Sequence, residues 1–457
     1  VLTDVNVIRT GQSFPLNEDM EERKTQLHQY EELYEGEHVE VFEEQFKRIT
    51  RVVGNFEDII GYFILFNYHR AISKKTMDLL LGERPTITGK TQSTTNYINE
   101  KIEELDLWDT LEEAVIDLSR YGDSILRVYK IENEIRVSIV PTQYWIPVVD
   151  ANDIKRVTNH IIAYTKTEGK NTILYTQVHY KGMYEEKIYQ LESSRDCLVG
   201  QKIGRLLSST QVYTGLTDFA IIPISNITSS SSIYGTSDYE DVNSIISELE
   251  VRVEQIVKIL DKHSDPSIIL PGEVLSRDRN TGLAVARTGE AFVLNNPDSV
   301  IPSYMTWDAQ LEANYKMIQL LLDQLSILSE LGNLFLGNGM EKLGNISGTA
   351  LKKMAYNAIC KINRLQRKLQ PAIIKVLKAV AELDGVNLSN ERINISFGDV
   401  LPQEWQELID SLVKAVAGNI MSQETAIRKL NENMSEESIQ AEIALIKSIS
   451  KGVDVNV

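Results

Sequence analysis

Cysteine is nearly absent. The chain holds two in 457 residues, Cys197 and Cys360, far apart in sequence. A disulfide scaffold is not expected, and a reducing compartment fits. Long hydrophobic runs are also absent. Ile64-Leu65-Phe66, close to Tyr62-Phe63, falls far short of the eighteen or so apolar residues of a membrane span. The opening VLTDVNVIRTG has no charged segment leading into an apolar one, so no secretory signal is expected. Positive charge is in deficit: 47 Lys+Arg face 65 Asp+Glu, for a net charge of −18 and a pI near 5.0. That balance argues against general adhesion to nucleic acid or anionic lipid. It leaves room for a protein that surrounds DNA without gripping it.

Catalytic signatures are missing too. Thr88-Gly89-Lys90-Thr91 looks like the end of a phosphate-binding loop. The motif needs a glycine five residues before Gly89, and Arg84 stands there. The six histidines (28, 38, 69, 160, 179 and 263) show no metal-ligand spacing with each other or with the cysteines. No Gly-x-Ser-x-Gly elbow occurs. Asp150, Asp153 and Lys155 can be read as the carboxylates and lysine of a metal-dependent nuclease. A turn with solvated charges explains them equally well.

What is present is ordinary for a globular protein, 42% hydrophobic and 25% charged. The length suggests about three domain-sized units. Residues 18–48 are helix-like and acidic, with eleven carboxylates against four bases. Helices are expected over 57–82, stopped by Gly82 and Pro85, and over 94–121, opened by Ser93 or Thr94 and closed by Gly122. Then the period changes to two. Segments 124–130, 135–140, 144–149, 160–166, 173–180 and 187–191 read as antiparallel strands, and 192–235 as irregular. Helical spacing returns over 237–263 with Val242, Ile246, Leu249, Val253, Ile256 and Leu260. A small β-like insert (264–306) precedes a second long helix from Thr306-Trp307-Asp308 to Leu331. The simplest arrangement is an antiparallel stalk with the insert at its tip. Gly332, Gly337, Gly339 and Gly344 mark a loop over 332–347. A third long helix spans 348–383, with a kink expected at Pro371. A strand at 392–397 leads to helices opened by Pro402, Ser422 and Ser435.

This order of parts resembles the portal proteins of tailed double-stranded DNA bacteriophages, in the siphophage branch of Gram-positive hosts. The likeness rests on NYHRAISKKTMDLLLGERP (67–85), YGDSILRVYK (121–130), VPTQYWIPV (140–148), SDYEDVNSIISELEVRVEQIVKIL (237–260), ISGTALKKM (346–354) and FGDVLPQEWQELIDSLVKAVAGNIMSQETAI (397–427). It spans roughly residues 40 to 450, and the order of these stretches carries it more than any one of them. The fold class implied is α+β: an α/β wing, long antiparallel stem helices, a small β clip, a kinked tunnel helix and a helical C-terminal crown. After an acidic N-terminal helical segment (1–39), the resemblance implies wing at 40–235, stem at 236–263 and 307–331, and clip at 264–306. The tunnel loop would be 332–347, the kinked helix and a wing strand 348–397, and the crown 398–457.

The resemblance further implies a non-enzymatic homo-oligomeric ring, usually of twelve subunits, at one capsid vertex of the virion, assembled in the bacterial cytoplasm. Double-stranded DNA would pass through it in packaging and ejection. Partners would be the terminase large subunit, a head–tail adaptor, and major capsid and scaffolding proteins, with no membrane and no cofactor. Asn333, Asn338, Lys342 and Asn345 would be DNA-facing tunnel-loop residues, and Arg277, Arg279 and Arg287 would serve docking at the clip. The alternatives are the nuclease above and a helical scaffold whose long helices pair as dimers.

One stretch stands apart. From Lys342 to Ala381 there are nine Lys or Arg and no carboxylate. On a wheel of about 100° per residue, Lys353, Lys361, Arg364, Arg367, Lys368, Lys375 and Lys378 share one arc of roughly 120°. The stripe has three readings: solvated surface, contact with an acidic neighbouring subunit, or contact with DNA.

Overall fold

The computed structural model describes residues 2–50, 64–169, 171–193, 199–264, 268–269, 276–277, 284–285, 303–304, 311–337, 348–400, 405–430 and 436–452. The chain opens as extended backbone, with β1 (Ser13–Phe14) added to the edge of a sheet, not as helix. The acidic stretch then forms α1 (Glu18–Glu35), α2 (His38–Val41) and α3 (Glu43–Thr50). Asn17 caps α1 by accepting from the Met20 N–H, and Gly36 ends it at φ 98°, where a side chain would be strained.

Helix α4 (Tyr68–Leu81) covers the later part of the first expected helix. Residues 64–67 are not helical, and 57–63 lie outside the described residues. After β2 (Thr86–Thr88), the helix expected over 94–121 is two: α5 (Gln92–Glu104) and α6 (Leu107–Tyr121). Asp106 divides them at φ 46°, a left-handed position that no period of apolar residues reveals. Thr91, not Ser93 or Thr94, caps α5 through its hydroxyl.

Strands β3 (Asp123–Ile131) and β4 (Glu134–Val140) form a hairpin. They are followed by β5 (Trp145–Asp150), β6 (Asp153–Glu168), β7 (Asn171–Tyr180), β8 (Met183–Glu192) and β9 (Gln201–Tyr213). These last five and β1 make an antiparallel meander in the order β1-β9-β8-β7-β6-β5. The chain from 192 to 235 was expected to be irregular, yet it supplies β9, β10 (Ile221–Ser225), β11 (Ile227–Thr228) and β12 (Gly235–Thr236). The reason for the miss is physical. Arg205 to Gln211 are exposed on both faces, so alternation never develops. Strand β10 joins the hairpin in the order β10-β3-β4. The two sheets enclose Ile125, Val140, Trp145, Ile162 and Ile221.

Helix α7 (Asn243–Ser264) leaves the lobe, and α8 (Leu311–Leu328) returns to pack against it. Between them, the described residues form four two-residue strands: β13 (Ile268–Ile269), β14 (Ser276–Arg277), β15 (Ala284–Val285) and β16 (Ser303–Tyr304). The pairing β13–β16 joins the two ends of the insert, and β14–β15 is a pairing within it. The expected start of the second long helix at 306–308 lies outside the described residues. Part of the glycine-rich loop is helical, α9 (Gly332–Leu336).

The third long helix breaks at Ala355 into α10 (Gly348–Met354) and α11 (Tyr356–Leu383). Helix α11 then continues through Pro371, which sits on its exposed side. Strand β17 (Asn394–Ser396) pairs back with β2. The chain ends in α12 (Trp405–Ala417), α13 (Gln423–Leu430) and α14 (Glu436–Gly452). The Ser422 hydroxyl caps α13, accepting from Thr425 N–H at 3.1 Å. Expected starts at Pro402 and Ser435 lie outside the described residues.

The largest core joins α4, α5, α6, α11 and the hairpin, through residues such as Leu80, Ile98, Leu118, Val128, Ile362, Leu369 and Val376. Where α6 turns into β3, Gly122 holds φ 83° and its carbonyl accepts from Asn226 N–H at 2.8 Å. A Cβ there would lie 2.5 Å from the Gly235 oxygen. Gly122→Ala is expected to cost about 3 kcal/mol in urea unfolding. Gly169→Ala shares a positive φ with nothing within 4 Å and should cost roughly 1 kcal/mol. Equal midpoints for the two variants would refute the close-approach account.

Candidate functional site: the basic helix and the root of the stalk

Helix α11 buries Ala358, Ile362, Leu365, Leu369, Ile373, Val376 and Val380, spaced three and four residues apart. That face fixes its rotation, and the rotation divides the basic stripe. Lys353 (on α10), Arg367, Lys368 and Lys375 are exposed. Among the described residues, Lys368 Nζ reaches only Thr228 Oγ1, at 3.5 Å. Lys361 is different: it is 1% exposed. It therefore does not present its charge to DNA or to a neighbouring subunit, as its place in the stripe had suggested. Its ammonium pairs with Asp238 Oδ2 at 2.8 Å and donates to the Ser329 carbonyl at 3.1 Å. Its wheel position, roughly 40° from Leu365 at ~100° per residue, is the one sign of this.

Asp238 is itself held from several sides. It accepts from Ser119 Oγ at 2.7 Å and from Asn226 Nδ2 at 2.9 Å. One residue on, Tyr239 is fully buried, its hydroxyl 2.8 Å from Ser73 Oγ and its ring against His69 and Tyr30. The polar chain runs into α7, where His69 Nε2 meets Asn243 Oδ1 at 2.9 Å and His38 Nδ1 meets Glu250 Oε1 at 2.7 Å. So α2, α4, α6, α7, α11 and the end of α8 meet in one buried network at the root of the stalk. None of Asp238, Ser119, Asn226 or Ser329 was singled out by sequence, because their partners lie far along the chain.

Arg364 adds a second tie. Both its terminal nitrogens engage Glu330, one of them at 3.1 Å. Glu330 takes φ 60° in the turn that follows α8, so the ion pair pins a left-handed residue. Lys378 Nζ donates to the Ser389 carbonyl at 2.9 Å. Lys375 and Lys378 line an open groove of about 1070 Å³ between α11 and the β lobe.

Asn333 sits in α9, half-buried, its Oδ1 without a hydrogen-bond partner among the described residues. Asn338, Lys342 and Asn345 lie outside the described residues. Arg277 is in β14, paired across to Ala284, while Arg279 and Arg287 lie outside. Asp150, Asp153 and Lys155 do come together, in the β5–β6 turn, but each is occupied locally. Asp150 Oδ1 accepts from Asn152 N–H and Asp153 Oδ1 from Lys155 N–H, both at 2.9 Å. Lys155 Nζ turns to the carbonyls of Ser229 and Ser232. In Thr88-Gly89-Lys90-Thr91, Gly89 N–H donates to Thr95 Oγ1 at 3.0 Å and Thr91 caps α5, so the stretch is a helix start.

A helical stalk is rooted in a two-sheet lobe by buried ion pairs, and the described motif residues are occupied in structural roles. Residues 14–453 match the sequence model of the phage portal proteins described as SPP1 Gp6-like, and the chain belongs to that family. It is a phage portal protein, which is a structural protein and not an enzyme; the nuclease reading is set aside. No curated protein matches the chain. Among solved structures, a chain in the neck of a native GTA particle computed with C12 symmetry is similar at 10% identity. The match covers 80% of this chain and 90% of that one, with a TM-score of 0.43. A chain in the neck of an empty GTA particle computed with C6 symmetry gives 10% identity, 80% and 89% coverage and a TM-score of 0.46. No helix among the described residues is long and apolar enough to cross a membrane.

Two expectations follow from the network. Lys361→Met strands Asp238 in the interior and should cost about 3–5 kcal/mol in urea unfolding. Adding Asp238→Asn should recover a measurable part of that loss, since no charge is then buried alone. A double variant no more stable than the single one would sink the ion-pair account.

The second concerns acid. Burial pushes His69 and His179 down to about 3 and His160 down to about 4, from an ordinary 6.5. Trp145 Nε1 donates to His160 Nδ1 at 3.1 Å, as a neutral ring requires. These groups bind protons in the unfolded chain before the folded one. Their contribution is complete above pH ~6.5 and is lost as pH falls toward about 4 for His160 and about 3 for His69 and His179. Burial raises Asp117 to about 6, ahead of an opposing effect from Arg120, and this acts in the other sense. Its contribution favours the fold at low pH and fades as pH rises through about 6. Burial also raises Asp123, against Arg23, in the same sense as Asp117. Three histidines still outnumber two carboxylates, so the urea midpoint should fall between pH 6.5 and 4.5. A midpoint at pH 5 equal to that at pH 7.5 would contradict this.

Proposed function

We propose that copies of this chain close into a ring, of twelve subunits by family likeness, at one capsid vertex of the particle, with double-stranded DNA passing along its axis. The observation that carries this reading is α8. Leu321 and Leu325 pack inward, while Leu320 and Ile327, seven residues apart on the other side, are about half exposed. A stalk helix apolar on both sides has a second apolar neighbour to find. The adjacent copy's stalk supplies it in a ring.

In this reading α7 and α8 are the stem, the insert between them the clip, and residues 398–457 the crown. The clip, with Arg277, Arg279 and Arg287, is where the terminase large subunit and later a head–tail adaptor dock. Capsid and scaffolding proteins surround the ring during assembly in the host cytoplasm. Asn333, Asn338, Lys342 and Asn345, with the exposed Lys353, Arg367 and Lys368, approach the DNA. The quoted sequence stretches favour the siphophage branch of Gram-positive hosts. The acidic balance supports a conduit over a clamp, since neutralising many phosphates at once would hold the duplex in place.

Substituting Leu320 and Ile327 together by Glu should leave a folded monomer by circular dichroism and abolish rings in negative-stain images. Rings indistinguishable from those of the unaltered chain would overturn the stem-packing reading.

A further inference from the structure

The groove between α11 and the β lobe carries a charge opposite to that of the chain. Lys155, Arg156, Lys181, Lys375 and Lys378 line it. Its carboxylates are Asp218, paired with Lys181 Nζ at 3.0 Å, and Glu382, which accepts from Thr217 N–H at 2.9 Å. Arg156 pairs with Asp150 Oδ2 at 3.4 Å, just outside the lining. Five cations therefore face three anions, and Lys375 makes no hydrogen bond or ion pair with the described residues. His160 in the lining is neutral at physiological pH. In a chain of net charge −18 such a surplus is exceptional.

The complementary surface lies on the same chain. Glu18, Asp19 and Glu21 crowd the first turn of α1 and Glu22 follows them, all exposed and none in an ion pair with the described residues. The two surfaces cannot meet within one copy. Successive side chains of β6 point to opposite sides of the sheet. Ile161 and Ala163 face the cluster on which Met20 of α1 packs. His160 and Ile162 face the other way, and His160 lines the groove.

We propose that the basic groove of each copy seats the acidic first turn of α1 from the adjacent copy. This inference rests on the ring reading above and names one of its contacts. Two different patches on opposite faces make a heterologous, head-to-tail contact, the kind that closes a ring by rotation. Complementary charge sets its register and suppresses wrong pairings.

The test is a charge exchange on exposed positions. Variant one carries Arg156→Glu and Lys375→Glu; variant two carries Glu18→Lys and Glu22→Lys. Circular dichroism checks that both fold. Size exclusion with light scattering reads assembly at 50 and 500 mM salt, values on the order of those that separate weak from strong screening. Each variant alone should associate at least roughly tenfold more weakly than the unaltered chain. Their equimolar mixture should regain rings at low salt, because each altered patch then meets its complement in alternation. Rings from either variant alone overturn the proposal, as does a folded mixture that stays monomeric. If either variant fails to fold, Arg156→Gln with Lys375→Gln takes its place, and unchanged assembly overturns the proposal. Rings that persist but lose retention of a short DNA duplex would make the groove a DNA surface instead. If the unaltered chain never forms rings while folded, the ring reading fails and takes this contact with it.

Discussion

A buried ammonium needs a buried carboxylate, and Lys361 has one in Asp238. The pair joins three parts that the chain visits at different times: the entry to the outgoing stalk helix, the exit of the returning one at Ser329, and the long helix that follows. Desolvating both charges costs several kcal/mol, and that cost is offset only if geometry and extra hydrogen bonds are complete. Here they are, because Ser119 and Asn226 fill the remaining acceptor sites of Asp238. An apolar pair could have supplied comparable stability. The ionic pair supplies direction, since few other arrangements of α7, α8 and α11 would satisfy it.

Much of the fold was legible in the sequence, and the failures are physically specific. Strands β3 to β8 were visible because at least one face of each is partly buried, which forces alternation or β-branched enrichment. Strand β9 was invisible because its outer half is exposed on both faces. Helix breaks at Asp106 and Ala355 passed unseen, since a single residue leaving helical dihedrals does not disturb apolar spacing. At Pro371, where a kink is expected, the helix continues without a break. At the basic stripe, composition and rotation were readable but destination was not. Lys361 and Arg364 meet partners on other elements, and one chain's sequence does not display those pairings.

That division of the stripe changes what its charge is for. Lys361, Arg364 and Lys378 are engaged within the chain. Arg367, Lys368 and Lys353 remain exposed. In the proposed ring, a small set of exposed cations in a strongly acidic subunit would steady DNA and still release it. Attraction at a few points lowers the cost of bringing the duplex near like charge, while the surplus of carboxylates keeps total binding weak.

The same surplus poses a problem for assembly. Copies of net charge −18 repel one another, and screening weakens that repulsion only beyond about 8 Å at physiological salt. Association must therefore be won locally, at contacts inside the screening distance. Apolar packing along α8 can contribute area without charge. The groove beside α11 can contribute attraction where the field is otherwise repulsive, because its cations face outward and are only partly neutralised. In the proposed ring, a subunit of this composition uses its basic residues in two places: inside, to hold the stalk to the lobe, and at the edge, to let one acidic copy accept the next.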